Sequence, residues 1–238
     1  MEHEWSEAIE GFFASIPRKR WINHPAYNAI ASSKLEQLTR ASRFGLSVPD
    51  TILTRDPVVA SRKWSQWKGA MVIKPLSPGE IKRADASDGL LYTRRVKADD
   101  VKEFSLLPKC PTLLQQAVDK RVDVRVTVVD SDIHAVELSR RDDHGTQLQD
   151  IRRDNMTGVE YTHILIPEDV ENCLLKLLRS YSLRFAAVDF VIDRLGEWYF
   201  LEINPNGQWA WLDLAGGTRI SDSFIQAFRS DKTQLAGG

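Results

Sequence analysis

Apolar residues recur along this chain with two different periods, and the switches between them mark out its elements. Residues 3–16 place Trp5, Ile9, Phe12, Phe13 and Ile16 on a helical repeat, which predicts a short amphipathic helix. "PRKRWINHP" breaks that repeat. A second helix is predicted over "SSKLEQLTRASRFGLSVP". Ser33 and Glu36 have capping-box spacing, Leu35, Leu38 and Ala41 line one face, and Gly45 and Pro49 close the segment. Val170, Cys173, Leu174, Leu177, Leu178 and Tyr181 predict a third helix over 167–185, and shorter ones are expected at 98–104 and 220–228. Period-two or continuous apolar runs predict strands at "GAMVIKP" (69–75), "GLLYTRRV" (89–96) and "TLLQQAV" (112–118). "VDVRVTVVDSDIHAVEL" (122–138) reads as a hairpin turning at Asp130-Ser131-Asp132, with Asp123, Arg125, Thr127 and Val129 on one face. Residues 139–163 are polar and irregular, the mark of a functional loop. The order of elements gives two similar-sized α+β halves joined near 115–119, and ligands favour the cleft between such lobes.

The last hairpin, "VDFVIDRLGEWYFLEINPNG" (188–207), carries acids inside an apolar pattern. If its strands pair about Leu195-Gly196, Asp189 stands directly across from Glu202, and Asn204 points to the same side. Phe190, Ile192, Tyr199, Leu201 and Ile203 then form the opposite, core face. "RLGE" is a weak turn signal, so this register is an assumption. Facing carboxylates repel, and a hard cation between them resolves the conflict. Magnesium takes carboxylate and amide oxygens and completes its shell with phosphate and water. A solvent-facing polar stripe on an edge hairpin is the other interpretation of the same pattern.

Composition narrows the function classes. The chain has 238 residues, 42% hydrophobic and 27% charged, as in ordinary globular proteins, and a formal net charge of −1. That balance offers no general attraction to nucleic acid. Cys110 and Cys173 lie apart and form no metal or disulfide framework. No apolar run is long enough to span a membrane, and the acidic N-terminus is unlike a secretory signal. A cytoplasmic protein without nucleic-acid or membrane partners is expected.

"VIKP", "LLQQAV" and "VDFVID…WYFLEINPNG" together resemble the nucleotide lysine strand, hinge and metal signature of the ATP-grasp ligases. Within that group "WINHPAYNAIASSKLEQL", "GLSVPDTILTRDP" and "LLYTRRV" look most like the graspetide, or microviridin-type, peptide maturases; ribosomal-protein glutamate ligases are next. The resemblance covers about residues 20–230. It implies an arm at 1–24, a central lobe at 25–116 and a metal-bearing lobe at 117–238. Only the arm stands where the family carries an N-terminal domain before the ATP-grasp lobes, so that domain is expected to be missing.

The resemblance implies ATP and Mg2+ as cofactors, with Asp189, Glu202 and Asn204 holding the metal. Lys74 and Lys34 would meet phosphates; each is otherwise a solvated surface lysine. Ser77, Pro78 and Gly79 would close over the phosphates. Gln115, Gln116, Ala117 and Val118 form the hinge, with adenine held by the main chain of Gln116 and Val118. Asp123 takes the place of the ribose acid. Arg125, and Arg152 or Arg153 of "DIRR", would stabilise the transferred phosphate; Arg125 could instead pair with Asp123 or Glu137. Trp209 and Trp211 either wall the acceptor site or cover the core. The implied activity turns Asp/Glu side chains of a ribosomal precursor peptide into acyl phosphates and joins them to amines or hydroxyls. The alternatives are a glutamate ligase acting on a protein tail, and a nucleotide-binding partner subunit incompetent for ligation. A homodimer is compatible with the resemblance, although no residue pattern argues for it.

Overall fold

The computed structural model describes residues 2–17, 20–76, 80–81, 89–90, 93–140 and 158–233, and of 2, 80–81, 89–90 and 230–233 the backbone alone. Two antiparallel sheets organise these residues. The larger has five strands in the order β11-β10-β7-β8-β9: β7 (Lys120–Val129), β8 (Asp132–Ser139), β9 (Glu160–Ile164), β10 (Phe185–Asp193) and β11 (Trp198–Asn204). The smaller has four, in the order β1-β6-β2-β5: β1 (Thr51–Thr54), β2 (Met71–Lys74), β5 (Arg94–Arg95) and β6 (Thr112–Gln116). A two-stranded pair, β3 (Glu80–Ile81) and β4 (Gly89–Leu90), stands apart. The run expected as one strand at 89–96 is therefore two short ones, and 98–104 extends as a 3-10 helix over Ala98–Lys109.

Alternation along the central strands sorts the large sheet into two unlike faces. Val122, Val124, Val126 and Val128 of β7, with Ala186, Val188, Phe190 and Ile192 of β10, point into one core. Leu38 and Ala41 of α3 (Lys34–Arg43) and Leu174, Leu177 and Leu178 of α5 (Glu168–Ser180) cover it. The other face is divided along the strands. Val129, Phe185 and Ala187 at one end lie under Leu212 of α6 (Ala210–Gly216) and Ile220 and Ala227 of α7 (Ile220–Thr233). At the other end that face carries Asp123, Arg125, Asp189 and Glu202.

Ala31 of α2 (Pro25–Ala31), Leu38, Ala41 and Leu46 belong to the large sheet's core. The segment expected as a central lobe, 25–116, is thus shared between the sheets. The small sheet begins with β1 and packs Met71, Val96 and Leu114 against Ala60 and Trp67, the former on α4 (Pro57–Gln66) and the latter its C-cap.

Two local expectations change. Ser33 is the N-cap of α3, yet its side chain makes no cap hydrogen bond. Glu36 instead pairs with Arg40 at 2.6 Å and accepts a short hydrogen bond from the Tyr181 hydroxyl, contacts that outcompete the capping box. Burial and that bond push the Tyr181 pKa up. The third helix stops at Ser180, because Ser182 turns into the left-handed region (φ 57°) to start β10. The helix over Glu2–Ser15, α1, forms as expected, with Trp5 and Phe12 exposed.

Candidate active site

The acidic hairpin adopts the expected register at its core. Ala187 pairs with Asn204, Val188 with Ile203 and Asp189 with Glu202. The weak "RLGE" signal is supplemented by Asp193, whose carboxylate accepts from the Leu195 and Glu197 amides at 2.8 and 2.9 Å, while Gly196 takes φ +91°. Past Asp189 the pairing shifts by one residue, so Phe190 faces Phe200. This bulge at Leu201 corrects the expected core face. Phe200, fully buried and edge-on to Phe190 at 5.7 Å, takes the place assigned to Tyr199 and Leu201. A bulge lets Phe200 and Ile203 point inward together while Glu202 and Asn204 point out.

Each carboxylate has a cation beside it. Lys34, at the first position of α3, lies 3.2 Å from Glu202 Oε2. Arg125 sits next to Asp189 across β7 and β10, with Nε 2.8 Å from Oδ1. That contact is electrostatic, lying off the N–H axis, so the buried Nε–H has no directed acceptor among the described residues. The Arg125 guanidinium also faces the Trp211 ring at 5.8 Å. Of the ion pairs weighed for Arg125, neither forms: Asp123 takes Lys120 at 2.6 and 2.8 Å, and Glu137 takes Arg121 at 2.6 Å. Facing like charges are thus offset by two flanking bases, giving Lys34–Glu202–Asp189–Arg125 across the open end of the sheet.

The donor set suits a hard cation. Among the described residues no group of three His, Cys, Asp or Glu side chains could hold a metal. The hairpin offers two carboxylates and one amide oxygen on one side, which leaves coordination positions for phosphate and water. An Arg N–H that lacks a directed acceptor and lies beside the set fits an anionic ligand. Asn204 Oδ1 accepts from the Asn206 amide at 3.0 Å and retains a second lone pair. Gly207 closes the turn so tightly that a Cβ there would lie 2.4 Å from the Ala187 Cβ.

The hinge candidates lie at the end of β6. The Gln115 side chain is turned into the small lobe, where its amide donates to Thr51 at 2.8 Å. The N–H groups of Gln116 and Ala117 donate to Asp50 and Ala70 carbonyls, which removes both as donors to a base. Val118 follows in the connector to β7, and Lys74 ends β2 half-buried. Ser77, Pro78, Gly79, Arg152 and Arg153 lie outside the described residues. Trp209 stacks on Phe224 at 4.9 Å in the core, whereas Trp211 bridges Tyr161 and Arg125.

Four polar residues here were given no role from the sequence: Asn23, Asn28 and Gln37, which lie within "WINHPAYNAIASSKLEQL", and Lys120. Gln37 is 1% exposed on the apolar face of α3, between Lys34 and Ala41. Its place on the helical repeat was the one available signal, since a buried amide must be hydrogen-bonded.

No protein-family model and no curated protein sequence matches the chain. Solved structures do. The Chryseobacterium gregarium RiPP-associated ATP-grasp ligase, solved with ADP and a leader and core peptide, superposes with a TM-score of 0.84 at 29% identity, over 97% of this chain and 68% of that one. Macrocyclase MdnC from Microcystis aeruginosa, bound with precursor peptide MdnA, shares the fold at a TM-score of 0.81 and 23% identity, over 96% and 69%. Macrocyclase MdnB from the same organism gives a TM-score of 0.73 at 30% identity, over 95% and 68%. With that identity, and with the acid, Glu-x-Asn and Gly of its last hairpin folded into one register, this chain belongs to the RiPP-associated ATP-grasp ligases.

Proposed function

We propose that the chain is an ATP- and Mg2+-dependent ligase that joins Asp or Glu side chains of a ribosomally made precursor peptide to amines or hydroxyls. The observation that carries this is the cross-strand pair Asp189–Glu202 on the open end of the sheet, flanked by Lys34 and Arg125. In that chemistry a carboxylate accepts the γ-phosphoryl group, ADP leaves, and the incoming amine or hydroxyl displaces phosphate, with one water lost from the peptide per bond.

The chain's own groups position and neutralise rather than react covalently. Asp189, Glu202 and Asn204 hold the cation. Lys34, Lys74 and Arg125 spread positive charge over phosphate oxygens, and Arg152 is assigned the same role. Ser77 and Gly79 approach the phosphates through their main chain. The Gln116 carbonyl and Val118 amide meet adenine. Asp123, oriented by Lys120, receives the ribose hydroxyls. The relative solved with ADP and a leader and core peptide supports both the nucleotide and the peptide.

Calorimetry of ATP with and without Mg2+ tests this directly. Binding that Mg2+ strengthens is expected in the wild type, with that strengthening lost in Glu202→Gln. A wild-type chain that ignores Mg2+, or a variant that binds like wild type, would overturn the assignment.

A further inference from the structure

Three amide side chains from residues 23–37 grip consecutive parts of the metal motif, and none belongs to it. Gln37 Nε2 donates to the Ile203 carbonyl at 2.8 Å, and its Oε1 accepts from the Ile203 amide at 2.8 Å. Its second N–H reaches Ala31 O at 2.5 Å, so the whole amide is occupied. Asn23 Nδ2 donates to Pro205 O at 3.1 Å and Phe185 O at 2.7 Å, while its Oδ1 accepts from the Arg184 and Phe185 amides at 2.8 Å. Asn28 Nδ2 donates to Asn206 Oδ1 at 2.6 Å, and the Asn206 amide in turn donates to Asn204 Oδ1.

Residues 203, 205 and 206 are therefore fixed, and the ligands Glu202 and Asn204 alternate with them. β11 ends the sheet; Ser47 bridges its outer side at Tyr199 and accepts from the Phe200 amide at 2.8 Å, but past the bulge at Leu201 β10 is its neighbour in the sheet and specifies the register there weakly. A slip of one residue would turn Glu202 and Asn204 into the core. Gln37 acts as a substitute strand neighbour at the residue between them. It projects from the same helix, one turn after Lys34, which touches Glu202. One rigid helix thus sets both a ligand and its counter-charge.

We propose that Gln37, Asn23 and Asn28 are positioning residues for the metal site: they hold Ile203, Pro205 and Asn206 so that Glu202 and Asn204 present their oxygens in one fixed geometry. This rests on Glu202 and Asn204 being metal ligands, as argued above.

The test is a Mg2+ titration of nucleotide binding, followed by calorimetry at fixed ADP, for wild type, Gln37→Met and Asn28→Ala. Nucleotide affinity in EDTA, the thermal midpoint and hydrogen exchange at the Ile203 amide are measured on the same samples. Partners of metal ligands typically alter affinity by about 10–100-fold. Gln37→Met is expected to raise the half-saturating Mg2+ about tenfold and speed Ile203 exchange, with affinity in EDTA unchanged. Asn28→Ala, at a half-buried position, is expected to raise it roughly threefold at an unchanged midpoint, and it decides the matter if Gln37→Met does not fold. Variants that keep the wild-type Mg2+ dependence, even with a lowered midpoint, overturn the positioning role alone. A wild-type chain with no Mg2+ dependence overturns the metal assignment itself.

Discussion

The acidic hairpin of the large sheet and the proposed hinge of the small one, which we assign to one nucleotide, are built on opposite principles. In the hairpin, function resides in side chains, and each is fixed from outside: Glu202 by Lys34, Asp189 by Arg125, and the intervening backbone by Gln37 and Asn23. At the proposed hinge, two N–H groups are already spent within the protein and the Gln115 side chain is buried on Thr51, so the recognition we propose falls to main-chain groups. Metal ligation needs charged oxygens within a few tenths of an ångström, which isolated side chains reach only with support. A planar base needs a donor and an acceptor, and any strand end supplies those. The two regions should therefore respond to mutation very differently.

The largest effect is expected from Glu202→Gln. It removes the charge of a proposed metal ligand and should lower ATP turnover by about a hundredfold or more. The thermal midpoint should move little, because the Lys34 pair is partly exposed and worth under ~1 kcal/mol. Steady-state turnover alongside thermal unfolding checks both halves.

Gly207→Ala attacks the hairpin by overpacking. A Cβ 2.4 Å from the Ala187 Cβ must displace backbone, which should cost about 1–3 kcal/mol and weaken Mg2+-dependent binding. The double variant with Ala187→Gly should recover most of the binding; failure to recover would mean that the turn, not the contact, sets the geometry. Denaturant unfolding and Mg2+ titration read the two losses separately.

Asp213 contrasts with the site carboxylates, since its role is structural. Partial burial raises its pKa, but hydrogen bonds from Thr218, Ser221 and Ile220 outweigh this and hold it down at about 2. A folded-state pKa below the ordinary 3.8 means stability that is complete above about pH 4 and lost as pH falls through about 2. Asp213→Asn should cost ~1–2 kcal/mol at pH 7 and flatten the acid limb of a stability–pH curve, leaving Mg2+ dependence unchanged. The smallest effect belongs to the hinge. Gln116→Ala keeps the main chain of an exposed residue, so nucleotide affinity should change less than about threefold and stability by under ~0.5 kcal/mol. A large loss would assign the side chain a contact and erase the contrast between the regions.

How far the sequence foretold this site varies by residue. Alternation put Asp123, Arg125 and Thr127 on one face of β7, and pairing arithmetic brought Asp189 across from Glu202; both stand in the structure. The same arithmetic missed the bulge at Leu201, because the extra residue is absorbed by packing Phe200 against Phe190 and leaves no mark in the pattern. Ser33 and Glu36 had capping spacing, but Arg40 and Tyr181 claimed the glutamate once α3 met α5. Gln37 looked like an ordinary helical glutamine. Its importance depends on Ile203, 166 residues away.

By itself, the sequence determined the periods, the alternation of faces and the order of chemical groups, because these follow from backbone geometry within each element. Only the tertiary structure decided which charge neutralises which. It also decided that α2 and α3 pack on the large sheet, and that three distant amides hydrogen-bond Ile203, Pro205 and Asn206. Those outcomes depend on contacts between segments that are far apart in the chain, where burial forces each polar group to find the partner that packing brings to it.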